Sequence, residues 1–431
     1  MKKQLAINVI ICIMFVGFVF QSPVAQHSTG IIRTIANNFD EMFAIFIFAI
    51  SVLRLRFTKT QMTFILFQAA FLSVGLLGTL LYHLQPAEAV LKDIVNCSKF
   101  TCTLVGIMGI YHADDCEKLL NMLRKVTTGI TFLMFALAVY DYIFRPAFFD
   151  HSFSYYTLQL FYYHPAIMAQ VMALFLAILG YGRTNRLNLI ARILCLIMLC
   201  ATFRAKAIAF ALIYVFIWNY KLIMKNRYLR IISLIVLLGG VVYMTRDSLD
   251  MYYGSLQGSA RGNMTLGGFE TANNYFPIGA GFGTYGTAAA ADYYSPLYVE
   301  FGFKRIYGLG YINTNYATDT FWPALFGEFG YLGTAVFAGY LISLVMPCIR
   351  MIKRRSSVVI LYTSILAYLL VCTTSGTGFF NPISVPYAMV MGVCLCRFAA
   401  EKRRAFLAAV KKRKEMANNE INQPVHNESN A

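Results

Sequence analysis

Apolar residues along this chain come in blocks, each about as long as the hydrocarbon core of a membrane is thick. A helix of about 17–25 apolar residues crosses a core of ~30 Å. Because lipid offers no partner for backbone N–H and C=O groups, each block is expected to be helical. The pattern predicts an all-α membrane protein of about twelve transmembrane helices, near residues 1–20, 39–54, 61–82, 97–112, 126–144, 162–181, 188–203, 205–221, 229–245, 319–348, 357–376 and 384–399.

Polar segments divide the chain into four regions. Residues 1–245 hold the first nine predicted helices, 246–318 form one long extracytoplasmic loop, 319–400 hold the last three helices and 401–431 form a basic cytoplasmic tail. The loop is many times longer than the median connection of ~4–6 residues. Its richness in Gly, Tyr, Asn and Thr favours a functional loop over a disordered linker. The tail is expected to begin as a basic helix at the membrane interface.

Composition excludes a soluble protein and charge predicts the orientation. Of 431 residues, 58% are hydrophobic and 13% are charged, whereas soluble proteins carry roughly a quarter charged residues. With both termini in the cytoplasm, 27 of the 37 Lys and Arg residues fall on the cytoplasmic side. This bias is typical of membrane proteins oriented by short basic loops. The net charge of +17 therefore indicates contact with anionic lipid and no nucleic-acid partner.

The ten cysteines predict neither disulfides nor a metal site. Most lie in apolar segments and none lies in residues 246–318, so no disulfide framework is indicated. Cys394 and Cys396 have no further ligands at metal-binding spacing. We expect neither a metal nor a cofactor.

The long loop contains a glycine-rich run and several charged and aromatic side chains. The run continues from Gly279 and Gly281 to Gly286, but a dinucleotide site would need a strand before it and a helix after it. Two interpretations remain for the glycines: a turn in which backbones pack closely, or a cradle of N–H groups for a phosphate or sugar oxygen. Glu270 is a candidate for substrate binding, and Tyr285 for stacking on a sugar ring.

A short break separates two predicted helices and carries two cations. Arg204 and Lys206 lie between 188–203 and 205–221, where we expect a tight hairpin at the external membrane surface. Both side chains could extend toward lipid phosphates. Alternatively, they grip a pyrophosphate, for which a guanidinium is well shaped.

Two carboxylates occur near the start of the predicted helix 319–348. Asp319 stands at its external end, and Glu328 lies nine residues deeper, about 13 Å along a helix. Asp319 could cap this helix, since Asp is favoured at such positions. It could equally act as a general base beside a cationic site.

These residues together resemble the O-antigen polymerase and O-antigen ligase family of bacterial envelope glycosyltransferases. The Arg204 hairpin resembles the family's Ser-Arg step at the start of a helix. Arg261, followed by Pro277-x-Gly279-x-Gly281, resembles its external-loop signature. Asp319 followed by Glu328-x-Gly330-x-x-Gly333 matches in spacing the family's His-Asn-x-x-Leu…Glu-x-Gly-x-x-Gly block.

The resemblance implies a multi-pass protein of the bacterial inner membrane that polymerises undecaprenyl-pyrophosphate-linked oligosaccharides into O-antigen, capsule or exopolysaccharide. A chain-length regulator and a flippase would be its protein partners. Asp319-Thr320 stands where ligases of the family carry His-Asn, and Phe203 where a Ser often precedes the arginine; the Asp favours a polymerase over a ligase. The resemblance gives Arg204, Arg261 and Asp319 catalytic roles. From the residues and the resemblance together, we predict substrate-binding roles for Lys206, Glu270, Gly279, Gly281, Tyr285 and Glu328.

Three alternatives stay open from the sequence. An O-antigen ligase would share the family's architecture. A transporter or flippase of lipid-linked sugars should carry charges along a central cavity, whereas the distinctive polar residues here cluster at the external face. A purely structural membrane protein would tolerate alanine at Arg204, Arg261 and Asp319.

Overall fold

The computed structural model describes residues 2–54, 57–111, 115–144, 149–150, 157–182, 185–226, 228–229, 231–232, 235, 239 and 259–421. Most of the predicted helix 229–245, the first part of the predicted loop (246–258) and the last ten residues of the tail lie outside the described residues. The described chain is almost wholly helical. Its only described sheet pairs two short antiparallel strands, β1 (Phe149–Asp150) and β2 (Thr157–Leu158).

Sixteen helices are described with both of their ends. Their bounds are α1 Lys2–His27, α2 Gly30–Asn37, α3 Phe39–Leu53, α4 Lys59–Tyr82, α5 Ala87–Ile110, α6 Cys116–Phe144, α7 Pro165–Leu179, α8 Arg186–Ala201, α9 Ala205–Trp218, α10 Tyr220–Lys225, α11 Ala260–Asn274, α12 Ala288–Asp292, α13 Pro296–Glu300, α14 Trp322–Lys353, α15 Val359–Cys372 and α16 Ser384–Ile421. Single turns of 3-10 helix cover Leu160–Tyr162 and Phe303–Arg305.

Helix length and composition support a helical membrane protein, but with fewer clear spans than predicted. Among the described residues, four segments are long and apolar enough to cross a membrane: Gln4–His27, Lys59–Tyr82, Cys116–Phe144 and Trp322–Lys353. The bent pair α2–α3 would be a fifth. Helices α7, α9 and α15 are apolar but have 14 or 15 residues, below the ~20 that a full crossing needs. The predicted count of twelve is therefore not confirmed.

The pair α2–α3 is bent by 53°, and a buried ion pair lies just after the break. Asp40 contacts Lys99 of α5 at 2.9 Å, and both side chains are 1% exposed. Gln21 of α1 donates to Asp40 at 2.8 Å, and Lys99 donates to Asn96 at 2.8 Å. This network ties three helices together inside the bundle. It also places two charges inside the bundle.

Helix α14 starts later than predicted and contains one break. Its N-cap residue is Phe321, so of the two alternatives for Asp319 the structure does not support capping of this helix; Asp319 precedes it. Gly330 leaves the helical conformation, with φ 60° and ψ −164°. A Cβ atom there would lie 2.3 Å from the carbonyl oxygen of Pro277, which is far inside contact distance. Only glycine lets the two backbones approach in this way.

The described part of the long loop, residues 259–318, is folded; we call it the cap. It contains α11, α12, α13 and the turn Phe303–Arg305. Its own core is separate from that of the bundle, and Tyr285 and Tyr298 at the centre of that core are both 0% exposed. Helix α11 packs along α14, with Gly268 close to Pro323. The cap is thus held firmly against the start of α14.

The basic tail is not a separate interfacial element. Helix α16 runs as one helix from Ser384 through the basic residues to Ile421. Its first part is buried among apolar side chains and its second part is exposed. The tail therefore extends a bundle helix, because nothing in the sequence between Phe398 and Lys402 would break a helix.

Candidate functional site

An ion pair joins the cap to the start of α14. Arg261 Nη2 lies 2.7 Å from Asp319 Oδ2, with the two side chains 17% and 30% exposed. Arg261 stands in the first turn of α11, which Ser259 caps by accepting a hydrogen bond from the Gly262 N–H at 3.0 Å. Asp319 lies in the connection before α14, where its N–H donates to the Tyr316 carbonyl at 3.2 Å. Both partners are partly open to solvent, as a binding site requires.

Two further predicted cations lie beside this pair. Arg204 is the N-cap residue of α9, and Lys206 follows in its first turn. The Lys206 ammonium interacts electrostatically with Arg204, Arg261 and Asp319. Three positive charges and one negative charge therefore share this position. We call these four residues the charged cluster.

The connection between α15 and α16 forms another wall of the charged cluster. Lys206 donates a hydrogen bond to the carbonyl oxygen of Ser375. Gly376 has φ +110°, a conformation that glycine adopts without strain, and a Cβ atom there would lie 3.7 Å from Lys206 Nζ. The sequence analysis did not single out this polar connection. Its run of Thr, Ser and Gly after the apolar α15 was the available signal.

Glu328 is not part of the charged cluster, and its side chain is bound by other residues of the protein interior. It is 0% exposed and accepts hydrogen bonds from the Tyr285 N–H at 3.1 Å and the Thr287 hydroxyl at 2.9 Å. Its carboxyl group lies beside that of Asp93 on α5. Asp93 in turn accepts from the Gly283 N–H at 2.9 Å. Two adjacent buried carboxyl groups repel each other when both are ionised, so we expect this pair to share one proton.

Asp93 was missed by the sequence analysis. An ionisable residue in a helix of the bundle is costly unless it has a partner, and it is a functional or structural candidate for that reason. The signal existed, since Asp93 lies on α5 together with Lys99. Its partner Glu328 is 235 positions away in the chain, a pairing that no local pattern reveals.

The two predicted substrate-binding glycines have a packing role in the structure. A Cβ atom on Gly279 would lie 2.3 Å from the Gly330 nitrogen, and one on Gly281 would lie 2.4 Å from the Thr79 nitrogen. Their N–H groups donate to the carbonyls of Tyr275 and Glu328 at 2.8 and 2.9 Å. These donors are therefore occupied by the protein, which agrees with the close-packed turn rather than with an N–H cradle.

Tyr285 and Glu270 also lie away from the charged cluster. The Tyr285 ring packs against Gly267 and Gly327, and its hydroxyl donates to the Met264 carbonyl at 2.7 Å. Burial raises the pKa of this phenol well above its usual range, so it remains a neutral donor. A fully buried ring cannot stack on a sugar. Glu270 is exposed and lies nine residues after Arg261 on α11, about 13 Å along the helix.

Exposed aromatic rings of the cap lie next to Asp319. Tyr316, whose carbonyl binds the Asp319 N–H, is 40% exposed, and Tyr307 is 77% exposed. Their ring centroids are 6.0 Å apart. Amphipathic rings with one open face are suited to stacking on sugars. Tyr285 was predicted in their place, because the sequence does not distinguish the core of the cap from its surface.

Comparisons with known proteins leave the family open. No protein-family model matches the chain, and no curated protein sequence matches it significantly. The resemblance to O-antigen polymerases and ligases therefore stays a prediction. Within the described ranges, no three His, Cys, Asp or Glu side chains are placed to hold a metal ion together.

Proposed function

We propose that the protein is a polymerase of lipid-linked oligosaccharides whose active site is the charged cluster at the outer face of the bacterial inner membrane. The observation that carries this proposal is the convergence of Arg204, Lys206, Arg261 and Asp319 from three separate parts of the chain. Three cations and one carboxylate leave a net charge of +2. A pyrophosphate diester, such as the undecaprenyl pyrophosphate of a lipid-linked glycan, carries two negative charges and would neutralise it.

The cations would bind and stabilise the leaving group. Guanidinium groups hold phosphate oxygens in bidentate fashion, and the N-terminus of α9 adds the positive end of a helix dipole beside Arg204. As the bond between the donor sugar C1 and the phosphate oxygen breaks, negative charge grows on the pyrophosphate. Arg204, Arg261 and Lys206 would stabilise that charge in the transition state.

Asp319 would act as the general base. A hydroxyl of the acceptor sugar attacks C1 of the donor, its proton moves to the Asp319 carboxylate, and polyprenyl pyrophosphate departs with the bonding electrons. A positioned base of this kind contributes typically 10²–10⁴-fold to a rate. In the free protein Asp319 is paired with Arg261 at 2.7 Å. Arrival of a pyrophosphate would draw Arg261 away and leave the carboxylate free to accept a proton.

The proposal is tested by the glycans that cells accumulate. We expect Arg204→Ala, Arg261→Ala and Asp319→Ala proteins to reach the membrane while single lipid-linked repeat units accumulate. Glu300→Ala is the matched control, because Glu300 is an exposed charge of the cap with no role in the charged cluster; it should leave long chains unchanged. Normal long-chain polysaccharide in all three cluster variants would overturn the proposal.

A ligase that transfers the finished chain to another lipid is the nearest alternative. It would use the same cations on the same leaving group. Asp319-Thr320 at the position of the family's His-Asn favours the polymerase. The products distinguish the two: loss of a polymerase yields single repeat units, whereas loss of a ligase yields long chains that remain on the polyprenyl lipid.

A transporter of lipid-linked sugars is the second candidate, and the structure offers one observation in its favour. The buried pair Asp40–Lys99 follows the break of the bent pair α2–α3, and broken helices with buried charges are a feature of many transporters. In proteoliposomes with labelled lipid-linked oligosaccharide, a transporter would move the glycan across the bilayer. An Asp40→Asn protein would then lose that movement. A polymerase instead lengthens the glycan.

A further inference from the structure

A cationic groove lies at the other end of α14 from the charged cluster. After the break at Gly330, α14 continues to Lys353, a length of about 35 Å, so the groove and the charged cluster face opposite sides of the bundle. The groove has a volume of about 540 Å³ and is lined by Arg354, Lys402, Arg403, Ala405 and Phe406. One wall of the groove is the connection between α14 and α15, and the other is the exposed part of α16.

Hydrogen bonds to Glu401 fix the geometry of this groove. The hydroxyl groups of Ser356 and Ser357 both donate to the Glu401 carboxylate, and the Ser357 N–H donates to it at 3.3 Å. Arg397 lies 3.7 Å from the same carboxylate and 2.9 Å from Glu117. These partners therefore hydrogen-bond and neutralise the Glu401 carboxylate. The residues that line the groove contribute cations and no carboxylate.

The residues around the groove change from apolar to basic, as is expected at the level of the lipid headgroups. Before Glu401, α16 is buried among apolar side chains, and after it the helix is exposed and basic. Phe406 and Leu407 are 67% and 54% exposed, so an apolar flank adjoins the three cations. Basic pockets at the ends of membrane helices bind the headgroups of anionic lipids. A free phosphate would use the cations but not the apolar flank.

We infer that this groove binds an anionic phospholipid, with the phosphodiester on Arg354, Lys402 and Arg403 and the start of the lipid chains against Phe406. This binding site is independent of the proposed reaction at the charged cluster. Lipid binding in the groove attaches α16 to the membrane surface at the point where its exposed part begins. Phosphatidylglycerol is a suitable probe, because it carries one net negative charge and phosphatidylcholine carries none.

The test measures lipid binding to the full-length, detergent-solubilised protein by native mass spectrometry. Phosphatidylglycerol, phosphatidylcholine and inorganic phosphate are titrated separately. The Lys402→Gln/Arg403→Gln protein is compared with Lys411→Gln/Arg413→Gln, which removes the same charge from exposed positions further along α16. Loss of two cation contacts should weaken phosphatidylglycerol binding about 10- to 30-fold, while the matched control should keep it within about twofold.

Three results would overturn the inference. Equal weakening in both double variants would mean diffuse attraction to the basic helix rather than a groove. Equal binding of phosphatidylcholine would remove the role of charge. Inorganic phosphate binding as well as phosphatidylglycerol would make the ligand a free anion. Circular dichroism of both variants checks that α16 remains helical.

Discussion

The Asp93–Glu328 pair allows a sharp prediction, because a buried carboxyl pair that holds a proton should not need its full negative charge. Glu328→Gln keeps an oxygen that can accept from the Tyr285 N–H and the Thr287 hydroxyl. The new amide N–H can donate to the Asp93 carboxylate, in place of the shared proton. We therefore expect the free energy of unfolding of Glu328→Gln to stay within about 1 kcal/mol of the native value.

Glu328→Ala should behave very differently. It leaves the Tyr285 N–H, the Thr287 hydroxyl and the Asp93 carboxyl without this partner, in an environment where Glu328 and Asp93 are 0% and 1% exposed. Each buried polar group without a partner costs about 1–3 kcal/mol. The sum over these three groups is about 3–9 kcal/mol, before the cost of the cavity is added. The cap would lose the two hydrogen bonds that Tyr285 and Thr287 donate to Glu328 of α14.

The assay is unfolding of the purified protein in one fixed detergent, followed by circular dichroism and by chain elongation activity. The reasoning predicts a Glu328→Gln protein that unfolds like the native protein and retains activity, and a Glu328→Ala protein that unfolds several degrees lower. If both variants were equally destabilised, the proton-sharing pair would be refuted. A stable but inactive Glu328→Gln protein would instead show that the charge of Glu328 serves the substrate.

Three other substitutions test the packing and the site. Gly281→Ala places a Cβ atom 2.4 Å from the Thr79 nitrogen, and we expect no folded protein in size-exclusion analysis. Gly302→Ala is the control, because a Cβ atom there meets open space. It should cost only about 1–3 kcal/mol of backbone strain. Tyr285→Phe removes its hydrogen bond to the Met264 carbonyl and should lower unfolding stability by about 1–3 kcal/mol. Arg261→Lys should change stability by less than about 1 kcal/mol, because the ion pair is partly exposed, but should lower the elongation rate at least tenfold, because an ammonium cannot bind phosphate in bidentate fashion.

Three of the four residues of the charged cluster were accessible to sequence reasoning because they are charges at the ends of apolar helices, whereas Arg261 lies in the cap and was named through the family resemblance. Arg204 and Lys206 interrupt two apolar segments, and Asp319 precedes a third. Charges at such positions face water or one another, since lipid would penalise them. This argument predicts where these side chains lie without knowledge of the fold. It does not reveal that Asp319 pairs with Arg261 instead of capping α14.

Other parts of the fold depend on contacts that are distant in the chain. Lys99 reduces the hydropathy of α5, and only the structure shows that Asp40 neutralises it. Tyr285 looks like a surface aromatic of a polar loop until the cap is seen to have its own core. The same tertiary packing converts Gly279 and Gly281 from possible ligand donors into contacts between backbones.

Purified protein in lipid vesicles, supplied with a lipid-linked oligosaccharide and no nucleotide sugar, tests the central claim most directly. Mass spectrometry would follow both glycan length and release of polyprenyl pyrophosphate. The account predicts a ladder of lengthened glycans that the Asp319→Asn protein fails to make, although it still binds the substrate. Glycans of unchanged length with the native protein, or an unaltered ladder with Asp319→Asn, would contradict it.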